Sequence, residues 1–316
     1  MQIYLPIAEI PVNILLILAL GMATGLLAGI FGIGGGFLAT PFLMFIGIPS
    51  PIAVSTSANQ IIASSVSGLF AQLKKGGVDI KMGLFLLIGG FIGSTIGVSF
   101  FKIIQQAGQS DIVVGITYVI FLGSISVLML IESSKIMISK KYTLSFSDDE
   151  KEIENSKKKS FQIFLEKIDK LPYKLYFPKS QIEISALVPI ILSIGIGILV
   201  ALMGIGGGFL MIPAMIYILR MPSNVVVGTS LFQIIFIASN TTFLQAYTNQ
   251  SVDIVLAFLM IISSSIGAQI GTRVGYKINA DKMRIFLALL LFLICVKMFL
   301  NLFTTPQNLY TIEMLR

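Results

Sequence analysis

Long apolar runs recur through the whole chain and constrain its fold more than any other feature. A helix needs about 20 apolar residues to cross a hydrocarbon core of about 30 Å, and runs of this length follow one another with short turns between them. Charged residues make up only 12% of the sequence, against about 25% in an ordinary soluble domain. The alternating pattern of a membrane β-barrel is absent. The sequence therefore predicts an all-α polytopic membrane protein embedded in a lipid bilayer.

Two glycine-rich stretches interrupt the apolar runs. The stretch "FGIGGGFLATPFL" begins at Phe31, and "MGIGGGFLMIPAM" begins at Met203, about 172 residues later. Glycine costs roughly 1 kcal/mol relative to alanine inside a helix, so four glycines in five positions indicate that the helix stops there. Both stretches are therefore expected to expose bare backbone within the membrane.

The similarity between the halves continues beyond the glycines. "VSTSANQ" from Val54 matches "VGTSLFQ" from Val227, and "VDI" at Val78 matches "VDI" at Val252. Such ordered matches predict an internal duplication. The further matching pairs are Pro49 and Pro222, Ser50 and Ser223, Phe70 and Phe243, Gln72 and Gln245, Gly93 and Gly267, and Gly97 and Gly271.

Each half contains about five hydrophobic helical segments, of which the second is too short to span a membrane comfortably. We predict three regions: a first transmembrane repeat at 1–131, a charged cytoplasmic linker at 132–183, and a second transmembrane repeat at 184–316. The first five segments are 12–31, 37–48, 52–72, 82–102 and 112–131. The second five are 184–203, 209–219, 225–246, 252–273 and 282–303.

The linker divides into two parts. "SDDEKEIENSKKKS" is predicted to be flexible and solvated. The following "FQIFLEKIDKLPYKLYF" places apolar residues on one helical face, which is typical of an amphipathic helix on the membrane surface. A packed cytosolic cap is the alternative for this second part.

Charge predicts the orientation of the halves. Lysine and arginine prefer cytoplasmic loops, which places the linker inside. Treating each glycine-broken pair as one crossing would put the basic cluster at 273–284 outside. An odd count, either five spans or three spans and a re-entrant hairpin, keeps that cluster inside and inverts the second half relative to the first. The start of the chain lacks the features of a cleaved signal, so the first segment is expected to remain in the mature protein.

The broken helices predict a binding cavity. In lipid, unpaired backbone groups cost several kcal/mol each and are tolerated only beside protein, water or a ligand. The helix after each break would direct free N–H groups and its positive dipole end toward the glycine loop, which favours an anion. Close helix packing is the alternative explanation for the glycines.

Uncharged polar side chains follow each broken hairpin and complete the predicted substrate site. Serine and threonine in membrane helices also bond back to their own backbone, which is the structural alternative for each of them. The predicted substrate-binding residues are Gly34, Gly35, Gly36, Thr56, Ser57, Asn59, Gln60, Gly206, Gly207, Gly208, Thr229, Ser230 and Gln233.

The sequence lacks the residues that several classes of function require. The sequence has no histidine and one cysteine, and its Asp79, Asp111, Asp253 and Asp281 all lie at segment edges. Cation carriers, proton relays and intramembrane hydrolases usually need such groups inside the membrane, so we expect no enzyme, no metal site and no cofactor. The formal charge of +7 is explained by loop lysines, so nucleic acid is not an expected partner. Lys297 alone lies well inside an apolar run, where snorkelling toward the surface is favoured over facing the cavity.

The paired motif resembles the sulfite exporter TauE/SafE family of membrane permeases. The resemblance rests on "GIGGGF…P" in both halves, each followed by "P-S…V..TS…Q" and "VD", and it covers nearly the whole chain apart from the linker. It implies a multi-pass secondary transporter of the cytoplasmic membrane that moves a small anion, such as sulfite or an organosulfonate. The rival hypotheses are an anion channel and a non-transporting scaffold subunit. The coupling ion stays open, as does a homo-oligomer. The matching residues are Gly32, Gly34, Gly35, Gly36, Pro41, Thr56, Ser57 and Gln60, with Gly204, Gly206, Gly207, Gly208, Pro213, Thr229, Ser230 and Gln233.

Overall fold

The structure is a computed structural model that describes residues 2–31, 36–141, 172–275 and 280–303. Each of the ten predicted hydrophobic segments forms a helix, with ends within a few residues of prediction except at the end of α5. The first half contains α1 (Ile14–Phe31), α2 (Gly36–Phe45), α3 (Ser50–Lys74), α4 (Ile80–Gln106) and α5 (Ser110–Lys141). The second contains α6 (Leu187–Met203), α7 (Gly208–Tyr217), α8 (Ser223–Leu244), a π-helical turn (Gln245–Asn249), α9 (Ile254–Gly275) and α10 (Ala280–Phe303).

Matching residues begin matching helices. Pro49 and Pro222 adopt extended backbone just before α3 and α8, where proline ends the preceding loop and needs no N–H partner. Asp79 caps α4 by accepting a hydrogen bond from Met82 N, and Asp253 accepts one from Leu256 N at the start of α9. The duplication seen in the sequence thus extends to the local rules that begin the helices.

A short β-hairpin precedes each half, and the sequence analysis did not predict either one. Strands β1 (Gln2–Leu5) and β2 (Ile10–Asn13) pair with Gln2 opposite Asn13, and β3 (Lys174–Phe177) and β4 (Ile182–Ser185) pair in the equivalent register. Both turns contain a left-handed non-glycine residue, Glu9 at φ 54° and Gln181 at φ 51°. The four-residue strands lack a glycine turn signal, which explains why they were missed.

The second hairpin lies inside the region assigned to the linker, and α5 continues to Lys141, beyond the predicted boundary at 131. The amphipathic helix predicted within 161–171 lies outside the described residues, and the division into three regions stays a prediction.

Helices α1 to α4 and α6 to α9 pack with the two hairpins in one compact unit. Within it, the first helix of each half packs along the fourth helix of the other half, as α1 with α9 and α4 with α6. Glycines allow these helices to touch: a Cβ on Gly25 would lie 2.2 Å from Ser264 O, and one on Gly93 would lie 2.1 Å from Ile194 O. Residue numbers rise together along both contacts, so each pair is parallel.

The equivalent helices α3 and α8 run antiparallel at the centre of this unit. Gly68 packs on Leu231, whereas Ile61, two turns earlier, clusters with Ile234 and Ala238 further along α8. Equivalent helices of opposite direction are the arrangement expected of inverted repeats. The inversion with respect to a bilayer stays a prediction.

Helices α5 and α10 form a second unit. They also correspond to each other in the two halves and pack antiparallel, with Gly115 against Leu302 and Gly123 against Cys295. Lys297 of α10 is exposed.

The surface of the helices is that of a membrane protein. Within the part of the chain that the structure describes, six helical segments are long and apolar enough to cross a bilayer. On α4 the side chains facing away from the protein recur at helical spacing and are large, apolar and about half exposed, which in water would be an aggregation-prone surface. They are Leu84, Ile88, Ile92, Ile96 and Ile103. The chain is an all-α polytopic membrane protein with two short accessory hairpins.

Candidate functional site

The second glycine stretch breaks the helix as predicted. Gly204 ends α6 at φ 66°, and Gly206 and Gly207 follow at φ 75° and 73°, a region that side-chain-bearing residues rarely occupy. Gly204 N still donates to Val200 O, and Gly208 N donates to Gly206 O in a tight turn. Helix α7 then starts at Gly208, with Met211 N bonded to Gly207 O. Three left-handed residues in four positions therefore join two helices within the membrane.

The break leaves backbone donors without partners. Among the described residues, no hydrogen bond is made by the N–H groups of Ile205, Gly206, Gly207 and Phe209, although all four residues are buried. Each unpaired buried N–H costs on the order of 1 to 3 kcal/mol. The unpaired N–H groups at the start of α7 also lie at the positive end of its helix dipole. Together they form a cluster of donors suited to an anion.

The break in the first half lies mostly outside the described residues, including the predicted site residues Gly34 and Gly35. Gly36, at the start of α2, is described and lies close to the second break, because a Cβ on it would be 3.1 Å from Gly204 O. Phe37 and Phe209, which match in the two repeats, stack with ring centroids 4.9 Å apart. The starts of α2 and α7 therefore meet within the compact unit.

Ile61 of α3 fills the space between these helix starts. Its Cδ1 would lie 2.0 Å from a Cβ on Gly36 and 2.6 Å from one on Gly206, so both positions require glycine. Ile61 is fully buried and clusters with Ile234 of α8. Ile61 and Ile234 thus belong to an apolar contact between α3 and α8.

The two predicted serines have backbone partners. Ser57 Oγ is 2.9 Å from Val54 O and 3.2 Å from Gly204 O, which connects α3 to the break of the other half. It also lies 2.6 Å from Thr40 Oγ1. Ser230 Oγ donates to Val227 O at 2.9 Å. Ser57 is therefore the predicted hydroxyl that touches the break directly.

The two predicted threonines brace the opposite half. Thr229 Oγ1 accepts from Asp79 N at 2.9 Å, and Thr56 Oγ1 accepts from Asp253 N at 3.3 Å. Thr229 Oγ1 also donates to Val225 O in its own helix. These bonds give both threonines a structural function, and their predicted contact with substrate stays a prediction.

The two predicted glutamines are buried between helices. Gln60 Nε2 donates to Thr24 Oγ1 of α1, and Gln233 Nε2 donates to Ser193 Oγ of α6. Asn59, the neighbour of Gln60, is partly exposed.

Sequence reasoning missed the function of the two "VDI" aspartates, which it placed at segment edges. Asp79 and Asp253 are both buried, at 2% and 0% exposure. Asp79 Oδ2 accepts from the backbone N and the hydroxyl of Ser180, and Asp253 Oδ2 accepts from Ile7 N. Each aspartate thus holds the hairpin of the other half, and the repetition of "VDI" is the signal that could have identified the pair.

A buried helix break inside a polytopic membrane protein, at a glycine motif that the sequence repeats, is a feature of membrane transporters. The chain belongs to the sulfite exporter TauE/SafE family, whose family model matches residues 17–298, nearly its full length. This is a family of membrane permeases, which confirms the resemblance seen in the sequence.

Several curated relatives cover almost the whole chain. A Bacillus subtilis (strain 168) protein named "Probable membrane transporter protein YunE" is 27% identical over 89% of this chain and 96% of its own length. A second protein from that organism, "Probable membrane transporter protein YjnA", is 23% identical over 86% and 94%. The Arabidopsis thaliana "Sulfite exporter TauE/SafE family protein 1" is 29% identical over a shorter region, 32% of this chain and 23% of its own. No solved structure matches the chain.

Proposed function

We propose that this protein is a secondary transporter that moves a small anion, sulfite or another sulfur-containing oxyanion, across the cytoplasmic membrane. The main observation is the cluster of buried N–H groups on Ile205, Gly206, Gly207 and Phe209, which have no partner among the described residues. A small oxyanion has several oxygens that accept hydrogen bonds, and binding it requires no deprotonated side chain. Backbone N–H donors and the positive end of a helix dipole therefore suit it. The family name supports sulfite as the first anion to test.

Alternating access around this site is the transport mechanism that we propose. Helices α3 and α8 are equivalent and run antiparallel. The first helix of each half, α1 or α6, packs against the fourth helix of the other half, so the two halves have similar folds that run in opposite directions. Rocking of such halves exposes a central site to each side in turn. The buried pair Ile61 and Ile234 would keep the two sides separated in the state described here.

The test is uptake of labelled sulfite into proteoliposomes that contain the purified protein, compared with protein-free vesicles. We expect Gly207→Ala to reduce uptake at least tenfold, because its Cβ would enter the break 2.8 Å from Val200 Cγ2. Gly108→Ala is the matched control: Gly108 has a similar φ of 68° but no neighbour within 4 Å, so it shares the strain without approaching the site.

Three results would contradict the proposal. Absence of uptake of sulfite and of other labelled sulfur oxyanions by the unmodified protein favours a scaffold over a transporter. Uptake that is not accelerated by sulfite trapped inside the vesicles favours a channel over a carrier. Equal uptake by the two alanine variants would mean that the break serves helix packing alone.

A further inference from the structure

The orientation of two buried glutamine amides defines a chemical requirement on the ligand. Gln60 and Gln233 occupy matching positions of α3 and α8, and each binds a hydroxyl on the first helix of its own half. Gln60 Nε2 lies 2.6 Å from Thr24 Oγ1, and Gln233 Nε2 lies 3.1 Å from Ser193 Oγ. All four side chains are at most 1% exposed.

The hydroxyl partners determine which end of each amide they bind. Thr24 Oγ1 donates its proton to Leu20 O at 2.8 Å, and Ser193 Oγ donates its proton to Leu86 O of α4. A hydroxyl has one proton, so each oxygen can then only accept from the glutamine. Turning the amide over would place its carbonyl oxygen against a hydroxyl that has no proton left for it. Both glutamines therefore present NH₂ to the hydroxyl and direct their oxygen elsewhere.

The carbonyl oxygens of the two glutamines occupy equivalent positions in the two halves and are both left without a donor from the described part of the chain. Gln60 Oε1 and Gln233 Oε1 are buried and have no hydrogen-bond partner among the described residues. Buried polar atoms without partners are rare, and finding the same atom unpaired in both halves indicates a shared purpose.

Both glutamines are close along the chain, directly or through their hydroxyl partner, to residues that pack on the helix breaks. Gln60 is followed by Ile61, which packs on Gly36 and Gly206. Ser193, the partner of Gln233, lies one helical turn before Ile196, whose Cγ2 would be 3.5 Å from a Cβ on Gly207. The same region of the protein thus offers backbone N–H donors and side-chain carbonyl acceptors.

We infer that the transported ligand is an anion that also carries a hydrogen-bond donor. Its oxygens would accept from the N–H groups at the break, and its O–H or N–H would donate to a glutamine Oε1. A fully deprotonated dianion such as sulfite itself would meet unpaired carbonyl oxygens, whereas hydrogensulfite or an amino-substituted sulfonate satisfies both. The inference rests on the proposed function.

Sulfamate and methanesulfonate are the probes, because they are monoanions of almost the same size that differ in an NH₂ or a CH₃ on sulfur. Dissociation constants for the purified full-length protein are measured by competition with labelled sulfite. We expect sulfamate to bind about tenfold more tightly, the worth of one buried hydrogen bond. Gln60→Leu and Gln233→Leu are each expected to reduce this preference.

Thr24→Val and Ser193→Ala provide a second test in case the leucine variants fail to fold. They keep the glutamine but remove the hydroxyl that fixes its amide, so the amide can rotate and the preference for sulfamate is expected to fall several-fold while sulfite still binds. Ser239→Ala is the control, since Ser239 is exposed and its Oγ donates to Ile235 O of its own helix.

The outcomes separate this inference from the proposed function. The inference is overturned, and the transporter proposal stays intact, if the protein binds sulfite but does not prefer sulfamate. This covers equal affinity for sulfamate and methanesulfonate, a preference for methanesulfonate, and no binding of sulfamate. A sulfamate preference that survives in every glutamine and hydroxyl variant also overturns it. A preference that appears only with sodium would mean that the carbonyls bind a cation, which contradicts it as well. Failure to bind or transport any of the three anions overturns both proposals.

Discussion

Single residues connect the two halves of this protein more directly than their positions in the sequence suggest. Asp253 lies at a segment edge, yet it is fully buried and accepts two hydrogen bonds, from Leu256 N of its own helix and from Ile7 N of the first hairpin, both at 3.0 Å. Asp79 makes the matching connection to the second hairpin through Ser180. A carboxylate suits this position because both of its oxygens accept.

Replacing Asp253 with asparagine should therefore destabilise the protein. The amide oxygen can keep the bond from Leu256 N, but the NH₂ group would face the N–H of Ile7, so that two donors oppose each other. We expect a loss of about 1 to 3 kcal/mol in unfolding free energy, measured as a lower midpoint of thermal unfolding in detergent. Glu183→Gln, which removes an exposed carboxylate from β4, should change the midpoint little. Equal midpoints for the two variants would show that Asp253 does not hold the hairpin.

At the scale of helices, glycine determines which elements can pack together. The α1–α9 and α4–α6 pairs approach so closely that a Cβ on Gly25, Gly29, Gly89 or Gly93 would lie about 2.2 Å from a backbone oxygen of the partner helix. Backbone cannot move aside as a side chain can. Close approach replaces the hydrophobic driving force that helices lack in lipid.

Alanine at one of these crossings should force the helices apart. Gly93→Ala is expected to cost about 1 to 3 kcal/mol, because its Cβ would meet Ile194 O at 2.1 Å. Gly195→Ala on the facing helix α6 meets nothing within 4 Å and should be neutral or stabilising by up to about 1 kcal/mol. Denaturant titration in mixed micelles gives both values. A similar loss in the two variants would mean that helix propensity, rather than the crossing, determines the effect.

The sequence was sufficient to predict the helices because apolar length, proline and glycine act locally. Segment 209–219 and helix α7, for example, differ by two residues at most. It was not sufficient for the hairpins, since Glu9 and Gln181 adopt left-handed backbone without a glycine signal. Nor did it show that Thr56 and Thr229 brace the other half, because their partners are almost 200 and 150 residues away. Such exchanged contacts depend on the tertiary arrangement and leave no local pattern.

At the scale of the compact unit, charge separates the two hairpins. Around the second hairpin, Lys81 Nζ donates to Tyr176 O at 2.8 Å, and Lys179 Nζ lies 3.4 Å from Gly76 O. Phe177 packs in one apolar cluster with Leu219 and Met221, which flank Arg220 in sequence. Around the first hairpin, segments 2–13, 46–52 and 245–254 contain no lysine or arginine, and their charged residues are Glu9 and Asp253. This division matches the rule that basic residues stay in the cytoplasm, so the second hairpin is expected inside and the first outside.

Cysteine labelling in intact cells tests this orientation at two matching positions. Lys74 is the last residue of α3, and Gln250 follows the π-helical turn at the end of the equivalent helix α8. Both residues are exposed. Because these helices run antiparallel, inverted repeats place the two positions on opposite sides of the membrane. On a Cys295→Ala background, Gln250→Cys should react with an impermeant maleimide added outside, and Lys74→Cys only after the cells are opened. Labelling both positions from the same side would exclude inverted repeats, and with them the alternating access proposed here. Labelling with the two sides exchanged would keep the inversion but contradict the assignment of the basic face to the cytoplasm.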